Sequence, residues 1–241
     1  PVIATNQKQL NKKTDRNKVV AQAAANLGHS GATGIWAVDQ SLFDQNATGT
    51  FKSMRFPALI DFYSELKQAT PEATLRLAGP YWGMGYVLWS RGLIDSICTG
   101  IGKSYQYFLA GTPITGSANT RIAIPGLYRW AIAGSALSKW IEHAISVVDQ
   151  NSVSHAQFIE LMKQFRTIQL NDTASRRQIA EFHRSWYDTL AGADPSGRQI
   201  MLFQQLSDAY VLGKNLKKIP TEKGRISDPS LIAEDFMMNC L

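Results

Sequence analysis

Asp39 and Gln40 are the residues of this sequence best placed for acid–base chemistry. They come directly after a short apolar run at 34–38, which has the length and composition of a buried strand. The end of a strand is a rigid support, and a general base or a ligand-binding group needs such a support. We therefore predict Asp39 as a catalytic base or polar anchor and Gln40 as a ligand-binding residue. The alternative is that Asp39 only caps the loop that follows.

A second candidate lies at 100–104, where the sequence reads GIGKS. Glycines, a lysine and a hydroxyl after a predicted strand are the ingredients of an anion site with backbone N–H groups turned inward. We predict that Lys103 and Ser104 bind an anion, the alternative being an ordinary turn.

Aromatic side chains among glycines form a third candidate. Tyr81 and Trp82 lie within the glycine-rich segment 79–85, and Tyr105 follows the predicted anion site. Flat rings exposed beside glycines can stack on a base or a sugar ring, so we predict these three as ligand-binding walls. The alternative is that the rings belong to the core. The segment 79–85 lacks the order of the dinucleotide fingerprint, and no Walker-type lysine follows it at the required spacing.

Metal and nucleophile motifs are missing from the sequence. The four histidines are scattered, with no H-x-x-x-H or H-E-x-x-H spacing, and no G-x-S-x-G elbow occurs. Cys98 lies inside a predicted apolar strand, where a thiol is expected to be buried and inert. We predict no metal site, and the sequence identifies no cofactor.

The elements that must position these residues alternate between helix and strand up to about residue 150 and are helical thereafter. This pattern predicts an α/β fold whose βα units form a barrel-like or half-barrel, mostly parallel sheet, followed by a helical C-terminal region. The predicted strands are 34–38, 74–78, 95–101 and 121–124. The predicted divisions are a basic flexible tail at 1–13, an α/β domain at 14–150 and a helical region at 151–241 packed on it.

The amino-acid composition limits the classes of protein to which this chain can belong. The 241 residues are 44% hydrophobic and contain no long apolar run, which favours a soluble, cytoplasmic protein without a membrane partner. The formal net charge of +6 favours polyanionic partners. Part of this charge lies in residues 1–18, where only Asp15 opposes a group of basic residues: Lys8, Lys12, Lys13, Arg16 and Lys18. This group is either a basic binding arm or a solvated leader.

The segment Arg91–Asp95, which reads RGLID after a predicted helix, resembles a late-barrel segment of tRNA-guanine transglycosylases. The resemblance implies a (β/α)8 fold and base exchange in RNA. It covers a short stretch only. Cys98 stands where that family would carry its nucleophilic aspartate, and the family's zinc cysteines have no counterpart, so we do not assign the chain to it.

Two functions of different class follow from these patterns. The first is an α/β domain that binds a nucleotide, a nucleic acid or another phosphorylated ligand at the C-terminal ends of its strands. The alternative is a non-catalytic subunit of a multi-protein or nucleoprotein complex, in which a protein partner or a second copy completes the sheet.

Overall fold

The computed structural model describes residues 1–39, 55–100, 120–167, 172–220 and 226–240. The first part of the chain alternates strands and helices: β1 (Val2–Thr5), α1 (Gln7–Leu10), α2 (Lys13–Ser30), β2 (Gly34–Asp39), α3 (Arg55–Ala69), β3 (Leu75–Ala78), α4 (Met84–Ser90) and β4 (Ser96–Ile97). Two short strands and a set of helices follow: β5 (Arg121–Ile124), β6 (Arg129–Ile132), α5 (Ser135–Val147), α6 (Val153–Thr167), α7 (Asp172–Ala191) and α8 (Pro195–Lys214). The last elements are β7 (Ile219–Pro220), β8 (Ile226–Ser227) and α9 (Leu231–Cys240). None of the described helices is both long enough and apolar enough to cross a membrane.

The α/β prediction is confirmed by a parallel sheet of four strands in the order β1-β2-β3-β4. Each strand lies beside the next one in the chain, and the helices between them complete the crossovers. Within the described residues the sheet is open, and the barrel-like shape is not confirmed.

The strand predicted at 121–124 exists but does not join this sheet, which corrects its predicted role. β5 instead pairs with β6 in an antiparallel hairpin. The connection reverses the chain because Gly126 and Tyr128 both take positive φ angles, 76° and 49°. β6 was not predicted, since the four apolar or basic residues of this strand follow a proline-glycine turn without any alternation.

The prediction of a flexible tail at 1–13 is wrong. Residues 2–5 form β1, which pairs in parallel with β2, so that Val2 lies opposite Trp36 and Thr5 lies opposite Asp39. The four residues of β1 are too few to show a periodicity, and the basic residues that follow obscured this strand in the sequence.

Arg16, which the sequence grouped with the basic arm, makes internal contacts. Its guanidinium binds Glu65 through two hydrogen bonds, Nε to Oε2 and Nη2 to Oε1, each 2.9 Å long. Nη2 also lies 3.2 Å from Asp61 Oδ2, and Nη1 donates to the carbonyl of Leu10 at 3.0 Å. Arg16 therefore joins α1, α2 and α3, and the side chain is only 8% exposed.

We predict that Arg16→Lys lowers the free energy of unfolding by about 2 kcal/mol, because an ammonium cannot reproduce the two parallel bonds to Glu65. Chemical denaturation measures this change. Lys18→Ala is the control, since Lys18 is 81% exposed and 3.8 Å from Asp15, and we expect a change within about 0.5 kcal/mol. An Arg16→Lys protein as stable as the wild type would show that the paired bonds contribute nothing.

Packing crosses the boundary predicted near residue 150. One core cluster contains Leu137 and Ile141 of α5 together with Phe158 and Leu161 of α6. The ring of Trp140 meets that of Phe158 edge-on, with centroids 5.8 Å apart. The hairpin and α5 are thus packed directly against the first helix of the C-terminal region.

Candidate functional site

The C-terminal ends of the four parallel strands meet at one edge of the sheet. This edge carries Thr5 at the end of β1, Asp39 at the end of β2, Gly79 after β3 and Cys98 after β4. Backbone hydrogen bonds hold the ends together, because Gly79 N donates to Ala37 O at 3.2 Å and Cys98 N donates to Ala78 O at 3.1 Å. In α/β folds this edge is the usual place for a ligand.

Asp39 lies at this edge and is 3% exposed. Side chains alternate across a strand, so Asp39 shares a face of the sheet with Ile35 and Ala37, which are buried in the main core. The neighbouring strand supplies Thr5, which is 2% exposed and donates through Oγ1 to the carbonyl of Val38 at 3.2 Å. A buried carboxylate thus lies beside a hydroxyl on a rigid support.

Two tyrosine hydroxyls belong to the same group. Tyr63 of α3 donates to the carbonyl of Ala37 at 2.9 Å, and its oxygen lies 3.4 Å from the hydroxyl oxygen of Tyr81. Burial raises the pKa of Tyr63 well above its ordinary value, the bond to Tyr81 opposes this shift, and the charge of Asp39 adds to it. Tyr63 therefore stays a neutral phenol that can donate a proton in a hydrogen bond.

Cys98 follows the short strand β4 and is half-buried. Its carbonyl accepts a hydrogen bond from Tyr81 N at 3.1 Å, which fixes the segment after β3 against the end of β4. Burial raises the pKa of the Cys98 thiol, so the thiolate that would act as a nucleophile is disfavoured. The strand ends thus carry the buried carboxyl group of Asp39 and the hydroxyls of Thr5, Tyr63 and Tyr81, and the thiol beside them is not activated.

Asp39 and Tyr81 lie at the same edge of the sheet, but the Tyr81 side chain is 1% exposed and belongs to the main core, so it does not form the exposed stacking surface that was predicted. A shared site at this edge stays a prediction. Four other predicted site residues, Gln40, Lys103, Ser104 and Tyr105, lie outside the described residues. Their roles stay predictions.

Trp82 has a different place from the one predicted. The side chain is fully buried, its ring stacks on Phe182 with centroids 5.6 Å apart, and it meets the His183 ring edge-on at 4.5 Å. Its Nε1 donates to the carbonyl of Tyr128 at 2.9 Å. The face that would stack on a ligand is covered by α7, so Trp82 joins the α/β part to the helical part of the chain.

His183 lies in the same aromatic cluster and is 5% exposed. Tyr86 donates through its hydroxyl to the carbonyl of His183 at 2.9 Å and lies 3.2 Å from Nδ1. Nε2 has no hydrogen-bond partner in the part of the chain that the structure describes. Burial lowers the pKa of His183 to about 3, so the ring is neutral in the folded protein.

This histidine predicts a loss of stability at mildly acid pH. The pKa of His183 is lower in the folded protein than its value of about 6.5 in the unfolded chain. The folded protein therefore keeps its full stability above pH 6.5 and loses stability as the pH falls from there towards 3, because the unfolded chain takes up the proton first. We expect the wild type to lose about 2 kcal/mol between pH 6.5 and about pH 5 relative to His183→Gln, because each pH unit corresponds to about 1.4 kcal/mol.

Denaturation at a series of pH values tests this expectation, and comparison with the variant cancels the contribution of the carboxylates. Parallel curves for the wild type and His183→Gln would contradict a neutral buried imidazole.

Sequence reasoning missed Thr5 and Tyr63 as members of the group at the strand ends. Thr5 fell in the predicted tail, and Tyr63 was not among the predicted site residues. A phenol in an otherwise apolar stripe was the available signal, since a buried tyrosine hydroxyl needs a partner. Among the described residues, no three His, Cys, Asp or Glu side chains are arranged to hold a metal ion.

Comparison with protein-family models, with curated proteins and with solved structures finds no match for this chain.

Proposed function

We propose that the α/β part binds a phosphorylated ligand, such as a nucleotide, a nucleic acid or another phosphorylated compound, at the C-terminal ends of β1 to β4. The observation that carries this proposal is the grouping of Asp39 with Thr5 and with the hydroxyls of Tyr63 and Tyr81. Ligands of parallel α/β sheets bind at this edge, where the strands support the side chains and the loops surround the ligand.

The charge of each predicted residue indicates which part of the ligand it would bind. A carboxylate repels phosphate and accepts hydrogen bonds, so Asp39 would bind a hydroxyl or a ring N–H of the ligand, or take a proton from it. The phosphate would be held by Lys103 and Ser104, which follow Cys98 in the sequence by five and six positions. Tyr105 would complete the walls together with Gln40.

Titration calorimetry with inorganic phosphate, adenosine monophosphate and a single-stranded RNA oligonucleotide tests the proposal. Asp39→Asn and Lys103→Ala should each weaken binding of at least one of these ligands by tenfold or more, an effect of about 1.4 kcal/mol. Asp188→Asn is the control, since Asp188 lies on α7 with its side chain 63% exposed, and its replacement should leave binding unchanged. Thermal unfolding checks that each variant is folded.

The salt dependence of binding distinguishes the classes of ligand. For RNA, the affinity should fall by about one decade per decade of salt for each phosphate contact. A single phosphate group gives a shallow dependence. Binding of all three ligands that is equal in the wild type and in Asp39→Asn would refute a site at the strand ends.

A non-catalytic subunit of a complex is the second candidate, and the other face of the sheet favours it. Parallel sheets are normally covered on both faces, but Val2, Trp36 and Leu75 are 58%, 36% and 42% exposed. In the described residues, β1 and β4 each pair with one strand only, so each has an edge at which a partner could add a strand.

The two functions give opposite results with the same proteins. For a subunit, Asp39→Asn changes nothing, and the isolated chain self-associates in a way that Leu75→Lys reduces. Light scattering after gel filtration measures this association. A monodisperse monomer whose behaviour Leu75→Lys does not alter would refute the subunit hypothesis.

A further inference from the structure

The helical part contains a cavity of about 340 Å³ between the β5–β6 turn and the helices α6, α7 and α8. Its volume lies in the range of small-molecule sites. None of the residues at the strand ends lines this cavity, so it is separate from the site proposed above.

One side of the cavity is aromatic, formed by Tyr128, Phe182 and Trp186. The rings of Tyr128 and Trp186 have centroids 4.7 Å apart, and those of Tyr128 and Phe182 are 6.2 Å apart. These rings touch one another and form a continuous wall. Such a wall attracts apolar groups by burial, and it attracts cations through the negative faces of the rings.

The wall is fixed by hydrogen bonds. Trp186 Nε1 donates to Gln205 Oε1 at 3.0 Å, and the carbonyl of Tyr128 accepts from Trp82 Nε1 at 2.9 Å. Tyr128 also has a φ of 49°, which is uncommon for a bulky residue. Its ring is thus held at the cavity by a backbone conformation that the surrounding contacts maintain, and a ligand would meet a pre-formed surface.

The charge of the cavity is opposite in sign to that of the whole protein. The chain has a formal net charge of +6, yet the cavity is lined by Glu160 and Glu181 and by no Lys, Arg or His among the described residues. Glu160 lies 3.6 Å from Lys163, and Glu181 lies 2.8 Å from Arg177. Both pairs are exposed, and exposed ion pairs are weak enough for a ligand cation to compete with them.

We infer that this cavity binds a small organic cation, an ammonium group carried on an apolar body. The apolar body packs on the aromatic wall, and the ammonium group lies between this wall and the carboxylates of Glu160 and Glu181. Amide side chains around the cavity, such as Gln205, offer further acceptors. An anion of the same shape is excluded by the two carboxylates.

Binding of three probes of similar shape tests this inference by calorimetry. Phenethylammonium is the cation, 2-phenylethanol is its neutral counterpart, and 3-phenylpropionate is the anion. We expect saturable binding of the cation, at least about tenfold weaker binding of the alcohol, and no binding of the anion. Equal affinities for cation and alcohol, tighter binding of the anion, or no saturable binding of the cation at millimolar concentration would overturn the inference.

Substitutions at the cavity test whether the probe binds there. In the Glu160→Gln/Glu181→Gln double variant, the affinity for phenethylammonium should fall about tenfold, towards that of the alcohol, while the alcohol binds as before. Glu142→Gln is the charge-matched control on the exposed face of α5 and should change neither. Asp39→Asn should also change neither, and a loss of binding there would assign the probe to the strand ends and overturn the inference.

Discussion

Gly79→Ala is expected to lower the free energy of unfolding by about 4 kcal/mol, combining backbone strain with a clash. Gly79 has a φ of 111°, a conformation that L side chains rarely adopt. A Cβ atom there would lie 2.6 Å from the carbonyl oxygen of Cys98 and 2.6 Å from the amide nitrogen of Tyr81. Both are backbone atoms that close the edge at which β3 and β4 end, so neither can move alone.

Substitution of two other glycines separates the effect of backbone strain from the effect of the clash. Gly92 has a φ of 66° with open space where a Cβ atom would lie, so Gly92→Ala should cost about 1 kcal/mol from strain alone. Gly28 lies in α2 with open space and an ordinary φ, and Gly28→Ala should stabilise by about 0.5–1 kcal/mol. Chemical denaturation of the three variants ranks them by the change in the free energy of unfolding. A loss for Gly79→Ala no larger than that for Gly92→Ala would mean that the strand ends are not closely packed.

Trp82→Ala is expected to lower the free energy of unfolding by about 4 kcal/mol, because it removes a fully buried ring that joins the segment before α4 to α7. Trp82→Phe keeps most of this packing but removes the hydrogen bond from Trp82 Nε1 to the carbonyl of Tyr128, and we expect it to cost about 2 kcal/mol. Denaturant titration followed by circular dichroism measures both variants.

Trp36 is the matched control. Its Nε1 also donates to a backbone carbonyl, that of Gly79 at 2.9 Å, but the side chain is 36% exposed on the open face of the sheet. Trp36→Ala should therefore cost about 2 kcal/mol, half the effect at Trp82. Equal effects at the two positions would refute the assignment of Trp82 to the core between the two parts of the chain.

The α/β class and the helical C-terminal region could be predicted from the sequence, because these depend on local signals. α7 carries a long amphipathic pattern, whereas α8 shows little amphipathicity and begins at a local signal, Asp194 followed by Pro195, where Asp194 caps the backbone N–H of Gly197. Similarly, the apolar run before Asp39 was sufficient to place β2.

The pairing of the strands and the burial of individual side chains could not be predicted from the sequence. β5 has the composition of a parallel core strand, and only the left-handed backbone at Gly126 and Tyr128 turns it into half of a hairpin. The location of Trp82 depends on where α7 packs, far along the chain. The contribution of Thr5 to the strand ends depends on the pairing of β1 with β2, and four residues are too few to predict this pairing from the sequence.

The central claim is that the strand ends form one ligand site around Asp39. Crystals of the protein grown with adenosine monophosphate would test it most directly. We predict a ligand whose ribose hydroxyl or exocyclic amino group lies within hydrogen-bond distance of the Asp39 carboxylate and beside the hydroxyls of Tyr63 and Tyr81, and we predict that this density is lost in Asp39→Asn. A nucleotide ordered elsewhere on the protein, with the strand ends unchanged and the same occupancy in Asp39→Asn, would contradict the claim.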